Sequence, residues 1–148
     1  TTVRRYTLRI DGFASARAPL AGGEFVTKPV RFEGGNLALN VETSGAGGVQ
    51  VEIQDLDGKP VPGYALADCP AIFCDRLQKI VRWKGRGGDV RELSGKPVRL
   101  RFALKDADLY SFQFLPYQPD PPLPPGGVSD ATPKKPTATP AEAPAKKS

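Results

Sequence analysis

Apolar residues recur at every second position along most of this chain, and this alternation restricts its fold more than any other feature. A period of two is the period of a β-strand that buries one face and leaves the other in water. Five runs show it clearly, at residues 6–10, 37–41, 49–53, 98–104 and 110–114, and weaker strands are predicted at residues 25–32 and 79–84. No run keeps a helical period for three turns. The chain is therefore predicted to be an all-β protein.

The segments between these runs carry residues that favour turns. Three of them are rich in Gly, Asn, Asp or Pro, at residues 33–36, 44–48 and 55–60. One short helical turn is predicted at residues 89–94, where Asp89 would cap its start and Gly95 would end it. Short strands with one polar face each predict an antiparallel β-sandwich of the jelly-roll or concanavalin A-like type, with about seven to nine strands.

The prolines divide the chain into two regions. Ten of the 16 prolines lie at or beyond Pro116. The region from that residue onward holds 8 hydrophobic side chains, whereas residues 1–115 hold 50. A segment with so few apolar side chains cannot repay the conformational entropy that folding costs. We therefore expect one β-sandwich domain at residues 1–115 and a disordered Pro/Ala/Lys-rich tail at residues 116–148.

The composition excludes several classes of site and partner. Without His, the chain has no Ser-His or Cys-His nucleophile pair and no His-ligated zinc. Two cysteines cannot fill a four-cysteine zinc site. The 21 basic and 16 acidic residues are interspersed, unlike those of a nucleic-acid interface, and no apolar run is long enough for a membrane helix. We expect neither nucleic acid nor a membrane as partner. The missing initiating Met indicates a processed chain or a fragment.

Two pairs of carboxylates, Asp55 with Asp57 and Asp106 with Asp108, are spaced two residues apart. On a strand this spacing would point both side chains to one face, where they could bind Ca²⁺ or act as acid and base in glycoside hydrolysis. Both pairs also fit loops at strand ends, where Asp side chains bond to their own backbone. We favour the loop interpretation, so no cofactor is expected, with Ca²⁺ as the alternative. A small independent enzyme, which would rest on these pairs alone, is the least favoured hypothesis.

Residues 60–78 form the one long segment that is neither a strand nor a simple turn. A loop of this length in a compact domain is uncommon unless it is functional or packed across a sheet edge. It contains both cysteines, and Cys69 and Cys74 could join in a disulfide across a short ring. A buried reduced pair is the alternative. A catalytic thiol is not expected, because no His is present to activate it.

Aromatic and charged residues in and after this segment are the candidates for carbohydrate binding. Trp83, the only tryptophan, is flanked by Arg82 and Lys84 and could stack on a sugar ring if its indole were exposed. A tryptophan on a strand of period two is more often a core residue with a satisfied N–H group. The candidate carbohydrate-binding residues are Trp83, Tyr64, Asp68, Asp75 and Arg76.

Three segments in this order resemble a C-terminal β-sandwich module of large secreted bacterial proteins, especially those of planctomycetes. They read GGEFVTKPVRFEGGNLALNVETSGAGGVQVEIQDLDGKPVPGYALADC, RWKG and LSGKPVRLRFALKDADLYSFQF. In those proteins the module accompanies a β-propeller of the glycoside hydrolase family 32/43 kind. The resemblance covers about residues 4–114. The family pattern often has Gly directly before the Asp at position 75, where this chain has Cys74, so a disulfide would be peculiar to this chain.

The resemblance implies a non-catalytic accessory module that packs on a catalytic glycoside-hydrolase domain of the same parent chain and positions it. The catalytic carboxylates of that family belong to the propeller, so no catalytic residue is carried over to this chain, and the isolated domain is not expected to be an enzyme. The resemblance also implies a secreted or periplasmic location. The alternative function is a stand-alone carbohydrate-binding module, which would use an exposed aromatic residue and the acidic loop to contact a polysaccharide.

Overall fold

A computed structural model of the protein describes residues 9–120. Antiparallel β-sheet is the dominant regular structure of this region and almost none of it is helix, which confirms the all-β prediction. It contains six strands rather than seven to nine: β1 (Ala16–Ala18), β2 (Gly23–Val26), β3 (Val30–Arg31), β4 (Asn36–Gln54), β5 (Asp75–Ile80) and β6 (Pro97–Leu115). Most of the strand predicted at residues 6–10 lies outside the described residues, as does the expected tail after residue 120.

Two strands of 19 residues, β4 and β6, replace four of the predicted short strands. The predicted turn at residues 44–48 is wrong, because β4 continues through this segment as an irregular β-bulge. Thr43 pairs with Ala107 and Gly48 with Lys105, so residues 44–47 face a single residue of β6, Asp106. A bulge of this kind adds residues to one strand and bends the pair without ending it. The glycine run that predicted a turn therefore marks a bend within a strand.

The bend at Asp106 folds β6 back on itself. The rings of Phe102 and Phe112 have their centroids 5.4 Å apart, whereas ten residues of straight strand would separate them by about 33 Å. The apolar faces of the two halves of β4 and β6 therefore enclose one core. Its fully buried side chains on these strands are Leu37, Leu39, Val41, Val49, Val51, Ile53, Leu100 and Phe102.

The remaining strands pair with the two long ones. β1, β2 and β3 pair with β6 along the edge that β4 leaves free, and β5 pairs with the first half of β4. The second half of β4 is covered instead by residues 60–74. Ile53 N donates to Tyr64 O at 3.0 Å, and Val49 and Ile72 exchange two backbone hydrogen bonds. The long segment thus packs across a sheet edge, and its last residues, 75–78, begin β5.

Two short helical turns complete the described region. The predicted one is a 3-10 turn at Arg91–Leu93, where the Asp89 carboxylate accepts a hydrogen bond from Arg91 N at 2.9 Å. A second turn, Leu66–Asp68, was not predicted. Neither is long and apolar enough to cross a membrane, and residues 9–120 contain no other helix.

Contacts of the folded region extend past the boundary expected at residue 115. The Asn36 side chain accepts a hydrogen bond from Gln118 N and donates one to Gly88 O. The carboxylate of Asp120 accepts a hydrogen bond from Arg82 Nε at 2.6 Å and another from Gly88 N at 3.3 Å. Residues 116–120 are therefore held against the start of β4 and the loop after β5.

The bend predicts that substitutions of Gly45 and Gly47 by Ala differ in their effect on stability. A Cβ at Gly47 would lie 2.3 Å from Asp106 O and 2.6 Å from Lys105 O, whereas a Cβ at Gly45 would meet nothing within 4 Å. Gly47→Ala should therefore lower the free energy of unfolding by about 1–3 kcal/mol, the range of overpacking. Gly45→Ala, the matched control, should change it by less than about 0.5 kcal/mol. Urea denaturation of both variants measures this, and equal stabilities would contradict the close approach at the bend.

Candidate functional site

Trp83 and Tyr64 lie together in the core. Trp83 is 2% exposed, and its Nε1 donates a hydrogen bond to Val51 O at 3.0 Å. Tyr64 is also buried, and its hydroxyl donates to Asp89 O at 2.9 Å. The two rings meet edge to face with centroids 5.2 Å apart. Both polar groups are satisfied within the protein, so Trp83 is a core residue, and neither ring offers a face to a sugar.

Of the other candidate carbohydrate-binding residues, Asp75 and Arg76 lie apart from this pair, whereas Asp68 is next to it. Asp75 and Arg76 begin β5 and pair with the first half of β4, and Asp75 forms an ion pair with Arg9. Tyr64 and Trp83 contact the second half of β4, beyond the bulge. Asp68 ends the 3-10 turn and is half-buried, and its backbone oxygen accepts a hydrogen bond from Lys84 N. The structure therefore does not gather the five candidates into one site.

Both cysteines are free thiols in this structure. Cys69 is buried, and its Sγ accepts a hydrogen bond from Val51 N at 3.3 Å. Burial raises the pKa of the Cys69 thiol to about 11, and it also raises the pKa of Cys74. Cys74 is held at Thr43, on the other side of the bulge in β4. Both cysteines are therefore unpaired, as in the reduced alternative, and their raised pKa values keep the thiols protonated at neutral pH.

The two carboxylate pairs have different environments. Asp55 Oδ1 accepts hydrogen bonds from Asp57 N and Lys59 N, both at 2.9 Å, as the turn interpretation expects. Asp106 and Asp108 lie inside β6, so the loop predicted for that pair is wrong. Asp106 has φ +40° at the bend, and Asp108 accepts a hydrogen bond from Ser15 Oγ. Within residues 9–120, no group of three or more Cys, Asp or Glu side chains is arranged to hold a metal ion.

A buried carboxylate that the sequence did not single out fastens the long segment to β4. Glu52 is only 3% exposed, and its carboxylate accepts hydrogen bonds from Gln54 Nε2 at 2.7 Å and from Leu66 N at 3.0 Å. Arg101 lies 3.4 Å from Glu52 and also pairs with Glu24. Burial alone would raise the pKa of Glu52, but the hydrogen bonds from Gln54, Leu66 and Arg101 together lower it below its usual 4.5. These contacts give Glu52 a structural role.

A groove of about 230 Å³ lies beside the bend, on the half of the sheet that contains the second part of β4. Its lining includes Gly47, Gly48, Gln50, Ala71, Phe73 and Lys105. Phe73 is 62% exposed. One edge of its ring lies at Gly48, where a Cβ would come within 3.1 Å of Phe73 Cε1. No periodic signal marked Phe73, because it lies in the irregular segment before β5. We call this feature the bend groove.

A second exposed apolar feature lies where the chain enters the described region. Residues 9–12 form a turn, closed by a 2.9 Å hydrogen bond from Gly12 N to Arg9 O. Ile10 in the turn is 68% exposed and Phe13 directly after it is 90% exposed. Turn positions usually carry Gly, Pro, Asn, Asp or Ser, so the apolar residues in Ile-Asp-Gly-Phe were a signal available in the sequence. We call residues 10–13 the hydrophobic turn.

Comparison of the chain with protein-family models, curated proteins and solved structures finds no match. The resemblance to the glycoside-hydrolase-associated module therefore rests on the three sequence segments given above.

The core position of Trp83 predicts that its removal acts on stability. Trp83→Ala should lower the free energy of unfolding by about 3–5 kcal/mol, because it leaves a cavity and an unpaired Val51 carbonyl. Trp83→Phe, which keeps an aromatic ring, should cost less. The wild-type indole should also be protected from iodide quenching of its fluorescence. Strong quenching, together with unchanged urea denaturation of Trp83→Ala, would contradict the buried position.

The lowered pKa of Glu52 predicts a pH dependence of stability. Because the pKa of Glu52 is lower in the folded than in the unfolded chain, its contribution is complete above the usual 4.5 and is lost as the pH falls through the folded pKa. Glu52→Gln should therefore be less stable than wild type at neutral pH, by about 1–3 kcal/mol, and the two should converge in acid. Urea denaturation between pH 7 and about pH 3 tests this. Asp57→Asn, at an exposed turn carboxylate, is the control, and a constant difference for Glu52→Gln would contradict the prediction.

Proposed function

We propose that this chain contains a non-catalytic accessory module of β-sandwich architecture that packs against a catalytic glycoside-hydrolase-like propeller in the same secreted parent protein. The hydrophobic turn carries the proposal. The sequence resemblance supplies the identity of the partner and the secreted location.

The sandwich architecture is supported by aromatic contacts between the halves of the bent sheet. Phe102 contacts Phe112 across the bend of β6, and Phe32 stacks on Phe114 with ring centroids 3.7 Å apart. Facing apolar layers of this kind are what two packed sheets share.

The hydrophobic turn is a docking feature for that neighbour. The backbone around it is fixed, because Asn40 Nδ2 donates to Ile10 O at 2.7 Å and Ser111 Oγ donates to Asp11 Oδ2 at 3.0 Å. Ile10 and Phe13 are therefore presented to solvent by a held turn. Burying two side chains of this size against a partner would contribute about 1.5–3 kcal/mol each. Two exposed apolar side chains on one held turn offer such a partner an apolar contact.

The size of the native polypeptide is the first test of this function. An antibody raised against residues 9–120 should detect, in culture medium and extract of the source organism, a band several times larger than 15.8 kDa. That band should also contain glycoside hydrolase sequences when it is analysed by mass spectrometry. A single band near 15.8 kDa would contradict an accessory role, since no partner domain would then be present in the same chain.

The docking role of the hydrophobic turn is tested in that parent protein. The double variant Ile10→Ser, Phe13→Ser should lower the melting temperature of the catalytic domain by several degrees, because the contact between the domains is lost. It should leave the stability of the isolated 148-residue chain unchanged, since both side chains are exposed there. Leu56→Ser is the matched control, at another exposed apolar residue in a turn. If the double variant and the control melt alike, the turn is not the docking surface.

A further inference from the structure

The bend groove combines an aromatic wall with a floor of small residues. The Cδ1–Cε1 edge of the Phe73 ring lies at Gly48, and the side chain is largely exposed. Gly47 and Gly48 contribute no side chains, and Ala71 contributes only a methyl group. An exposed aromatic ring beside such a floor can pack on a flat apolar surface, such as the C–H face of a pyranose ring.

The groove has two polar side chains, a cationic donor at Lys105 and an amide at Gln50. Lys105 is exposed and is the only charged residue among the described ones that line the groove. Gln50 is held in place because its Nε2 donates to Cys69 O at 2.8 Å. Its Oε1 is an acceptor suited to a hydroxyl, whereas the ammonium of Lys105 is a donor suited to an anion. The groove therefore complements a ligand that carries hydroxyl groups and one negative charge.

The volume limits the size of this ligand. Pockets for drug-sized molecules measure roughly 300–1,000 Å³, whereas the bend groove measures about 230 Å³. It has room for one sugar ring and its substituent, with the rest of an oligosaccharide outside. One stacking contact and one exposed cation would give weak binding, with a dissociation constant of about 1 mM or somewhat below.

We infer that the bend groove binds one pyranose residue of a glycan that carries an anionic substituent, either a uronate carboxylate or a sulfate ester. Phe73 stacks on the pyranose ring and Lys105 pairs with the anionic group. Gln50 Oε1 accepts a hydrogen bond from a sugar hydroxyl. The inference does not depend on the accessory role, because the groove and the hydrophobic turn are separate features. It moves the glycan contact away from Trp83 and Tyr64, whose rings are buried.

NMR titration of the full ¹⁵N-labelled chain tests the inference. The probes are trigalacturonate, a sulfated galactose disaccharide, and neutral cellotriose. Either anionic probe should shift the amide signals of Gly47, Gly48 and Lys105, and the probe that binds more tightly identifies the substituent. Raising the salt concentration from about 20 mM to about 200 mM should weaken that binding several-fold. Cellotriose should bind more weakly than the preferred anionic probe.

Two variants with matched controls separate the two contacts. Phe73→Ala should weaken binding of the preferred probe about tenfold. Lys105→Gln should remove both the preference for the anionic probe and most of its salt dependence. Leu56→Ala and Lys96→Gln, at exposed residues outside the groove, should change neither. Folding of each variant is checked by its amide spectrum, and Lys105→Gln keeps the inference testable if Phe73→Ala alters the loop.

Three results would overturn the inference. The first is the absence of any shift at Gly47, Gly48 and Lys105 with all three probes. The second is binding that a folded Phe73→Ala variant leaves unchanged. The third is equal binding of neutral and anionic probes in wild type, which would contradict recognition of an anionic substituent. None of these results bears on the native size of the polypeptide, so the accessory role and the glycan site can fail separately.

Discussion

The pairing of β4 with β6 through the bend at Asp106 is the constraint on which the rest of the structure depends. The two strands remain partners on both sides of the bulge, so the bend turns both of them together and closes their apolar faces on one core. The close approach of Gly47 to the backbone of Asp106 requires a residue without a side chain. Every other strand pairs with one of these two, and the long segment before β5 covers the edge that they leave open.

This arrangement explains why the aromatic and thiol groups that stand out in the sequence have structural roles. The second half of β4 pairs with β6 on one side and has no strand on its other side, so residues 60–74 and Trp83 satisfy the backbone groups of that edge. Val51 shows this most clearly, since its N–H group donates to Cys69 Sγ and its carbonyl accepts from the Trp83 indole. Glu52, the next residue, binds Leu66 N with its carboxylate. The aromatic, thiol and acidic groups here complete a sheet edge.

The sequence predicted the strands and their buried faces better than their connections. Leu37, Val51 and Phe102 face the core as the period of two required, because alternation is a local property of the chain. The prediction of a turn at residues 44–48 is wrong because a turn and an irregular β-bulge need the same flexible residues. Only the pairing with β6 decides between them. The position of Phe73 was also not predictable, since it depends on a contact with Gly48, which is distant in the sequence. Sequence pattern therefore located the core but not the exposed site.

The bend also separates the two exposed apolar features. The hydrophobic turn is held by Asn40 and Ser111, which lie on the first half of β4 and the last part of β6. The bend groove is lined by Gln50 and Lys105, which lie on the other side of the bulge. A protein partner docked at the turn would therefore contact one half of the sheet and leave the other half free. The same bend that closes the core therefore leaves the bend groove open when the hydrophobic turn is covered, so the proposed docking and the proposed glycan contact do not compete for one surface.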